Sequence, residues 1–391
     1  MARPGIRSAA AREIAFLRSN AWEQSLLLWF PLAVLVMLLW IFSNGVPVAL
    51  PIAFVDEDHS SDSRSLAMRL AAMRSVQVTA RPASLEAAWP LVRSAEVYAV
   101  VHVPPGWQRE RLRGSPLPVL VYENLQFNLS IGLLSKDIGA AVRAIGAERA
   151  LTGEVRIGGG GVEAASVRVQ ALQLDVRTLF NPALSYEAFL AGMMAAAMLN
   201  LFAVIATVSA LGREFRDRTV PAWLASGGSL WRATAGKLAV VLLVYLMLGL
   251  ALIATLAGWR GWGVAGSLWL WFIAMSMLMA VAVATGLLLI GVTANLRTAY
   301  SLTGIYVATA LAFSGFSFPT YAMSGAAQFW GQLLPYTHYL PLQQGQWLAA
   351  ASTSDWARGM WPLLVFLAVF VGIGLPMLAL HSRTPSKWGQ R

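Results

Sequence analysis

Four features of this chain have residue types and spacings that suggest chemistry. Asp56, Glu57, Asp58, His59 and Asp62 gather hard oxygens of the kind that ligate a cation. The same run also reads as a solvated turn after a strand, with Ser or Asp capping the helix that follows. Gly236-Lys237 has the ending of a phosphate-binding loop, G-x-x-x-x-G-K-[ST], whose amides cradle phosphate and whose hydroxyl holds magnesium. Trp231 and Leu238 stand where that loop needs Gly and Ser or Thr, so ATP is not bound by that route. The histidines, His59, His102, His338 and His381, fall in separate segments without a neighbouring nucleophile and base. Leu211 to Gly228, LGREFRDRTVPAWLASGG, sets five charges in six residues between two apolar segments. No catalytic or metal constellation forms, no cofactor is implied, and an enzyme is the least supported reading.

The elements that hold these residues follow from composition. The chain has 391 residues, 57% hydrophobic and 12% charged, more apolar surface than a soluble fold hides. It has no cysteine, which excludes a disulfide framework and Cys-ligated zinc or iron-sulfur sites. Six charge-free apolar runs have spanning length: 25–42, 188–211, 238–257, 264–292, 299–318 and 360–380. In the first, Pro31 predicts a kink, while Trp22, Trp29 and Trp40 suit interfacial positions. That run exceeds the ~7 to 15 apolar residues of a signal peptide, so it is expected to be an uncleaved anchor.

The charge of +10 is a topology signal. Positions 43–187 hold 14 Lys or Arg and 14 Asp or Glu, and 15 basic residues lie elsewhere. With six crossings only Arg260 and Arg358 share a side with 43–187. The positive-inside rule then puts both termini in the cytoplasm and the domain outside, and nucleic acid is not the partner. Ionisable side chains that would couple transport to an ion gradient are missing from the spans. Their polar groups, such as Asn200, Thr207, Thr285, Thr293 and Thr303, are expected to bond helix to helix.

The resulting fold class is an α-helical polytopic membrane protein of six transmembrane helices, with an α/β extracytoplasmic domain between helices 1 and 2. The divisions are a cytoplasmic segment 1–24, helix 1 at 25–42, the α/β domain 43–187, helices 2–6 within 188–380 and a tail 381–391. In the domain, strand-like runs at 46–55, 76–80, 97–103 and 117–122 alternate with helix-like stretches at 63–74, 84–93 and 106–113. Ile131, Leu134, Ile138, Val142 and Ile145 predict a longer helix over 127–151, and a last strand is expected at 165–176 after Gly158 to Gly161. Asn128-Leu129-Ser130 fits a glycosylation tripeptide.

The 211–228 stretch resembles the segment after the second span of ABC-2 type transporter permeases, approximately R-E-x-E-x-G-T, then a short helix ending L-x-x-S-P, then G-K. Arg213, Glu214, Thr219, Leu224, Ser226, Gly236 and Lys237 match, while Arg218 replaces the usual Gly and Gly227 the usual Pro. Phe180-Asn181-Pro182, VLVYENLQFN from Val119 and VYAVVHVPPG from Val97 are similar to family members with a large outer domain. The stretch 317–340 resembles the family's F-P-x-x-x-M-P and P-x-T-H-Y-L elements, with Ser324 where Pro is usual.

The resemblance implies the membrane subunit of an ABC exporter, paired with an identical or related second permease. It would be served by a separate ABC ATPase subunit on the cytoplasmic side. A membrane fusion adaptor protein would meet its outer domain, and the location would be the bacterial inner membrane. Arg213, Glu214, Arg216, Asp217, Thr219, Trp223 and Leu224, within 212–236, would couple to the ATPase. A short amphipathic helix lying at the lipid interface and docking into a groove suits that task. The segment 326–348 is too polar to span, and a re-entrant or interfacial outer helix broken at Pro335 and Pro341 is expected, carrying Thr337, His338 and Tyr339. His338 reads as a structural hydrogen-bonding residue. A hydrophobic or drug-like substrate suits a laterally open path; the competing reading is a non-transporting receptor or assembly factor whose outer domain binds a protein.

Overall fold

The computed structural model describes residues 3–43, 48–113, 117–124, 132–145, 190–316 and 318–389. The chain divides into two compact units, one of 1–43 with 185–391 and one of 44–184. Gly158 to Gly161, the 165–176 strand, Phe180-Asn181-Pro182 and Asn128 lie outside the described residues.

The first unit opens with the amphipathic helix α1 (Ile6–Ser19), which buries Ala9 and Glu13. Asn20 then caps the run α2 (Ala21–Ile41) by accepting from the Glu23 amide. Pro31 does not break α2, because a π-helical turn, Ser25–Trp29, immediately precedes it. The wider turn relieves the clash a proline ring makes with the turn before it.

The second unit is α/β, in the order β1 (Leu50–Asp56), α3 (Ser61–Ala71), β2 (Val76–Ala80), α4 (Leu85–Arg93), β3 (Ala99–Val103), α5 (Trp107–Leu112), β4 (Leu120–Glu123) and α6 (132–145). The sheet runs β2-β1-β3-β4, parallel except for β4. Leu66 and Leu70 of α3 and Leu134 and Ile138 of α6 pack on Ile52, Phe54 and Val101 of one face. Ala88 of α4 packs with Ala53, Val55 and Val100 of the other. Covering both faces explains why β3, AVVHV, is an unbroken buried run rather than an alternating one.

The chain then returns to the first unit with α7 (Gly192–Arg216), α8 (Val220–Gly227), α9 (Leu230–Trp259), α10 (Leu268–Thr293), α11 (Leu296–Tyr306), α12 (Ala310–Phe313), α13 (Gly325–Gln332), α14 (Pro335–Trp347) and α15 (Thr353–Ser382). Among the described residues, α2, α7, α9, α10 and α15 are long and apolar enough to cross a membrane. They make this a polytopic helical membrane protein, with α10 at the centre against α7, α9, α14 and α15.

The 299–318 run is not one helix. It stops at Tyr306, whose hydroxyl donates to the Leu333 carbonyl at 2.6 Å, and Trp330 Nε1 donates to Thr309 Oγ1 at 3.4 Å. Contact with the α13 region, not local composition, sets that turn. The threonines also depart from expectation: Thr207, Thr285, Thr293 and Thr303 each donate to the carbonyl four residues back in their own helix.

Candidate coupling site

The charged end of α7 points inward. Arg213 and Glu214 are 3% and 2% exposed, although both sit in the stretch expected to face the cytoplasm. Glu214 takes a two-pronged contact from Arg12, Nη1 to Oε1 at 2.7 Å and Nη2 to Oε2 at 3.0 Å. Such fork-to-carboxylate pairs are among the stronger hydrogen bonds a protein makes. The Arg12–Glu214 hydrogen bond raises the guanidinium pKa further, so Arg12 stays charged at any workable pH. Thr219 donates to the same carboxylate, and Lys237 Nζ lies 2.5 Å from its Oε1.

Lys237 also donates to the Ala210 carbonyl at 3.0 Å and pairs with Glu13 Oε2 at 2.9 Å. Arg213 pairs with Glu13, and its Nη1 lies 3.2 Å from Glu23 Oε2, which also accepts from Ser209 Oγ at 2.6 Å. Phe16 lies under the Arg213 guanidinium, 4.1 Å from it. The cluster therefore joins Glu13, Glu23 and Glu214 to Arg12, Arg213 and Lys237, a neutral set drawn from α1, α2, α7 and α9. Buried charge is tolerated only when paired and hydrogen-bonded in this way.

The local sequence explains how α1 arrives there. A Cβ on Gly236 would sit 2.4 Å from the Ile6 carbonyl oxygen and 2.7 Å from Ala9 Cβ, so the missing side chain lets α1 lie against α9. The start of α1 is fastened to the end of α8, because Ser8 Oγ and the Gly5 amide both donate to the Ser226 carbonyl. Gly236 thus serves approach and Lys237 serves charge, which is a physical use for a Gly-Lys pair outside a complete phosphate loop.

Of the sequence-predicted coupling residues, Arg213, Glu214 and Thr219 are brought into the cluster. Trp223 is 1% exposed, with its ring centre 6.0 Å from Lys237 Nζ, and Leu224 is half-buried. Arg216 and Asp217 are exposed and pair with each other at 2.8 and 2.9 Å. Arg12, Glu13, Glu23 and Ser209 were not expected here. One signal was present: outside 43–187 the chain's only acids are Glu13, Glu23, Glu214, Asp217 and Asp355, and three of them meet in this cluster.

The predicted outer residues lie elsewhere, at the start of α14. Pro335 takes its first turn, and Pro341 sits within the helix without ending it, contrary to expectation. Tyr336 and Tyr339 are fully buried; Tyr336 donates to the Met193 carbonyl at 2.7 Å, and Trp271 Nε1 lies 3.4 Å from the Tyr339 hydroxyl. Thr337 is buried, while half-buried His338 bonds the Gln332 carbonyl at 2.9 Å and packs near Phe366. The acidic run near His59 is a turn: Asp56 accepts from the Asp58 and His59 amides, and Ser60 caps α3.

The sequence model described as "ABC-2 family transporter protein" matches residues 22–376. The chain belongs to this family. The match identifies it as an ABC-2 type permease. The chain is similar to the probable multidrug ABC transporter permease YbhR of Escherichia coli strain K12 and of Escherichia coli O157:H7. Each is 26% identical over 197 residues, 50% of this chain and 53% of the relative. The alignment spans about half the length of these curated relatives.

Proposed function

We propose that this permease is the membrane-spanning subunit of an ATP-binding cassette exporter, driven by separate ATPase subunits that dock at the 212–236 segment. The carrying observation is the tie between an exposed turn and a buried cluster. Arg216, Asp217 and Arg218 face outward, while Arg213 and Glu214 beside them are locked to Arg12, Glu13 and Lys237. A push on the turn would move α1, α7, α8 and α9 together, because the links are short, charged and buried.

The termini support the orientation. The Gly5 amide bonds the Ser226 carbonyl at the end of α8, and the Gly389 amide bonds the Phe215 carbonyl at the end of α7 at 2.8 Å, so residues near both termini meet the α7–α8 segment. An even number of crossings follows if the five long helices are joined by α11–α12 as a broken sixth. The positive-inside rule then favours cytoplasmic termini, an inner-membrane location and an outer 43–187 domain. A second permease chain, identical or related, completes the path, and the outer domain is where a membrane fusion adaptor would bind. The E. coli relatives are probable multidrug permeases, which supports a drug-like substrate.

Purification from native membranes without crosslinker tests the reading. Co-elution of a chain carrying the phosphate loop, with stimulated ATP hydrolysis, is the expected result. Retained binding of an outer partner with no ATPase bound would overturn it.

A further inference from the structure

The α/β unit contains a cleft of about 540 Å³ at the carboxyl ends of β1 and β2. Ligand pockets run from roughly 300 to 1,000 Å³. Its lining is apolar at Phe54 of β1, at Ala67 and Met68 of α3, and at Pro82 and Ala83 beyond β2. Met68 is 66% exposed there, an apolar side chain left in water at the mouth of a concavity.

The rim carries Asp56, His59, Arg64 and Arg81. The carboxylate of Asp56 is already engaged: Oδ1 accepts from the Asp58 and His59 amides at 3.2 and 2.9 Å, and Oδ2 from Ser63 Oγ at 2.7 Å. Among the described residues, Arg64 donates to the His59 carbonyl at 2.9 Å and forms no ion pair. Arg81 is exposed and makes no ion pair or hydrogen bond among the described residues. Two guanidinium groups that form no ion pair among the described residues, against the single carboxylate of Asp56, therefore stand at the edge of this pocket. That combination disfavours a cation, and with only two cations it is too small a patch for a nucleic acid.

From this juxtaposition we infer that the cleft binds a small amphiphile, its carboxylate or phosphate held by Arg64 and Arg81 and its apolar part against Phe54, Ala67 and Met68. Planar guanidinium forks suit both head groups. The head group has two sources, a membrane phospholipid or a free amphiphilic compound. The site does not depend on the exporter assignment, since it is built wholly within one unit.

The test uses full-length protein in phosphatidylcholine nanodiscs, titrated with dansyl-undecanoic acid and corrected against empty nanodiscs. Saturable fluorescence enhancement is expected, weakened about tenfold or more by Arg64→Ala with Arg81→Ala through loss of two charge-assisted contacts. The uncharged dansyl-undecanamide should bind equally weakly to both proteins. Ala67→Trp should block the cleft, and Ala83→Trp, on the loop, should do so without disturbing α3. Displacement by phosphatidylglycerol in the disc would identify a lipid head group, and displacement by dodecyl phosphate alone a free amphiphile; either supports the site. No saturable signal, equal affinity in the double-alanine protein, or equal affinity for the amide would overturn it.

Discussion

Lys237 and Glu214 sit on successive spanning helices, with Nζ and Oε1 2.5 Å apart and both side chains at least 97% buried. Neither charge has water to fall back on, so each depends on the other and on Glu13, Arg12 and Thr219. A buried pair of this kind adds little net stability compared with apolar residues of the same volume, yet losing one partner is costly. The cluster is best understood as a device that fixes the relative positions of α1, α7 and α9.

Lys237→Met should therefore destabilise the protein by ~3 to 5 kcal/mol, since Glu13 and Glu214 would be left with too little positive charge. Adding Glu13→Gln restores neutrality and should recover a large part of the loss. Thermal unfolding in detergent reads both. A single variant that melts with the wild type would mean the charges are solvated and the cluster is not a lock.

Arg216 and Asp217 allow docking to be tested without touching the cluster. Exchanging them, Arg216→Asp with Asp217→Arg, keeps their mutual ion pair but reverses the charge pattern offered to a partner. Melting should shift by less than ~0.5 kcal/mol, as expected of exposed positions. Stimulation of the ATPase subunit should fall at least about tenfold, the scale of a misplaced charge at an interface. Full stimulation by the exchanged protein would remove this turn from the docking surface.

How much of this was readable in advance differs by element. The five long spans and the α/β alternation were legible, because a bilayer demands unbroken apolar length and a covered sheet demands alternating helices and strands. The break after Tyr306 was not, since it depends on a carbonyl 27 residues further along. Arg213 and Glu214 looked like surface charge because their counter-ions, Glu13 and Arg12, lie about 200 residues away on a helix whose own pattern gives no hint of that contact. Charge reversal at Glu214, the natural first test from sequence, would confound coupling with folding.

The two departures from the family pattern have local explanations. Arg218 adopts the left-handed conformation, φ 58°, at the position where glycine is usual. Gly227 stands where proline is usual because a Cβ there would lie 2.4 Å from the Ala233 amide nitrogen. Arg218→Gly should raise stability by about 1 kcal/mol, the cost of holding a non-glycine residue in that region. An unchanged or lower melting temperature would show that the Arg218 side chain, packed beside Gly389, compensates for its backbone.

Gly236 makes the strongest claim about α1. Gly236→Ala places a methyl group 2.4 Å from the Ile6 carbonyl oxygen, and no rotation of a side chain relieves a clash with backbone. Helix α1 would have to move off α9, carrying Arg12 and Glu13 away from Glu214 and Lys237. Trypsin should then cut after Arg7, Arg12 and Arg18 faster than it does in the wild type. The fraction cleaved follows the population of the open form when opening and closing are fast, so limited proteolysis measures the displacement directly. Equal protection of the two proteins would mean that α1 is held by Ser226 and the ion cluster strongly enough to absorb the methyl group, and that close approach at Gly236 is not what seats it.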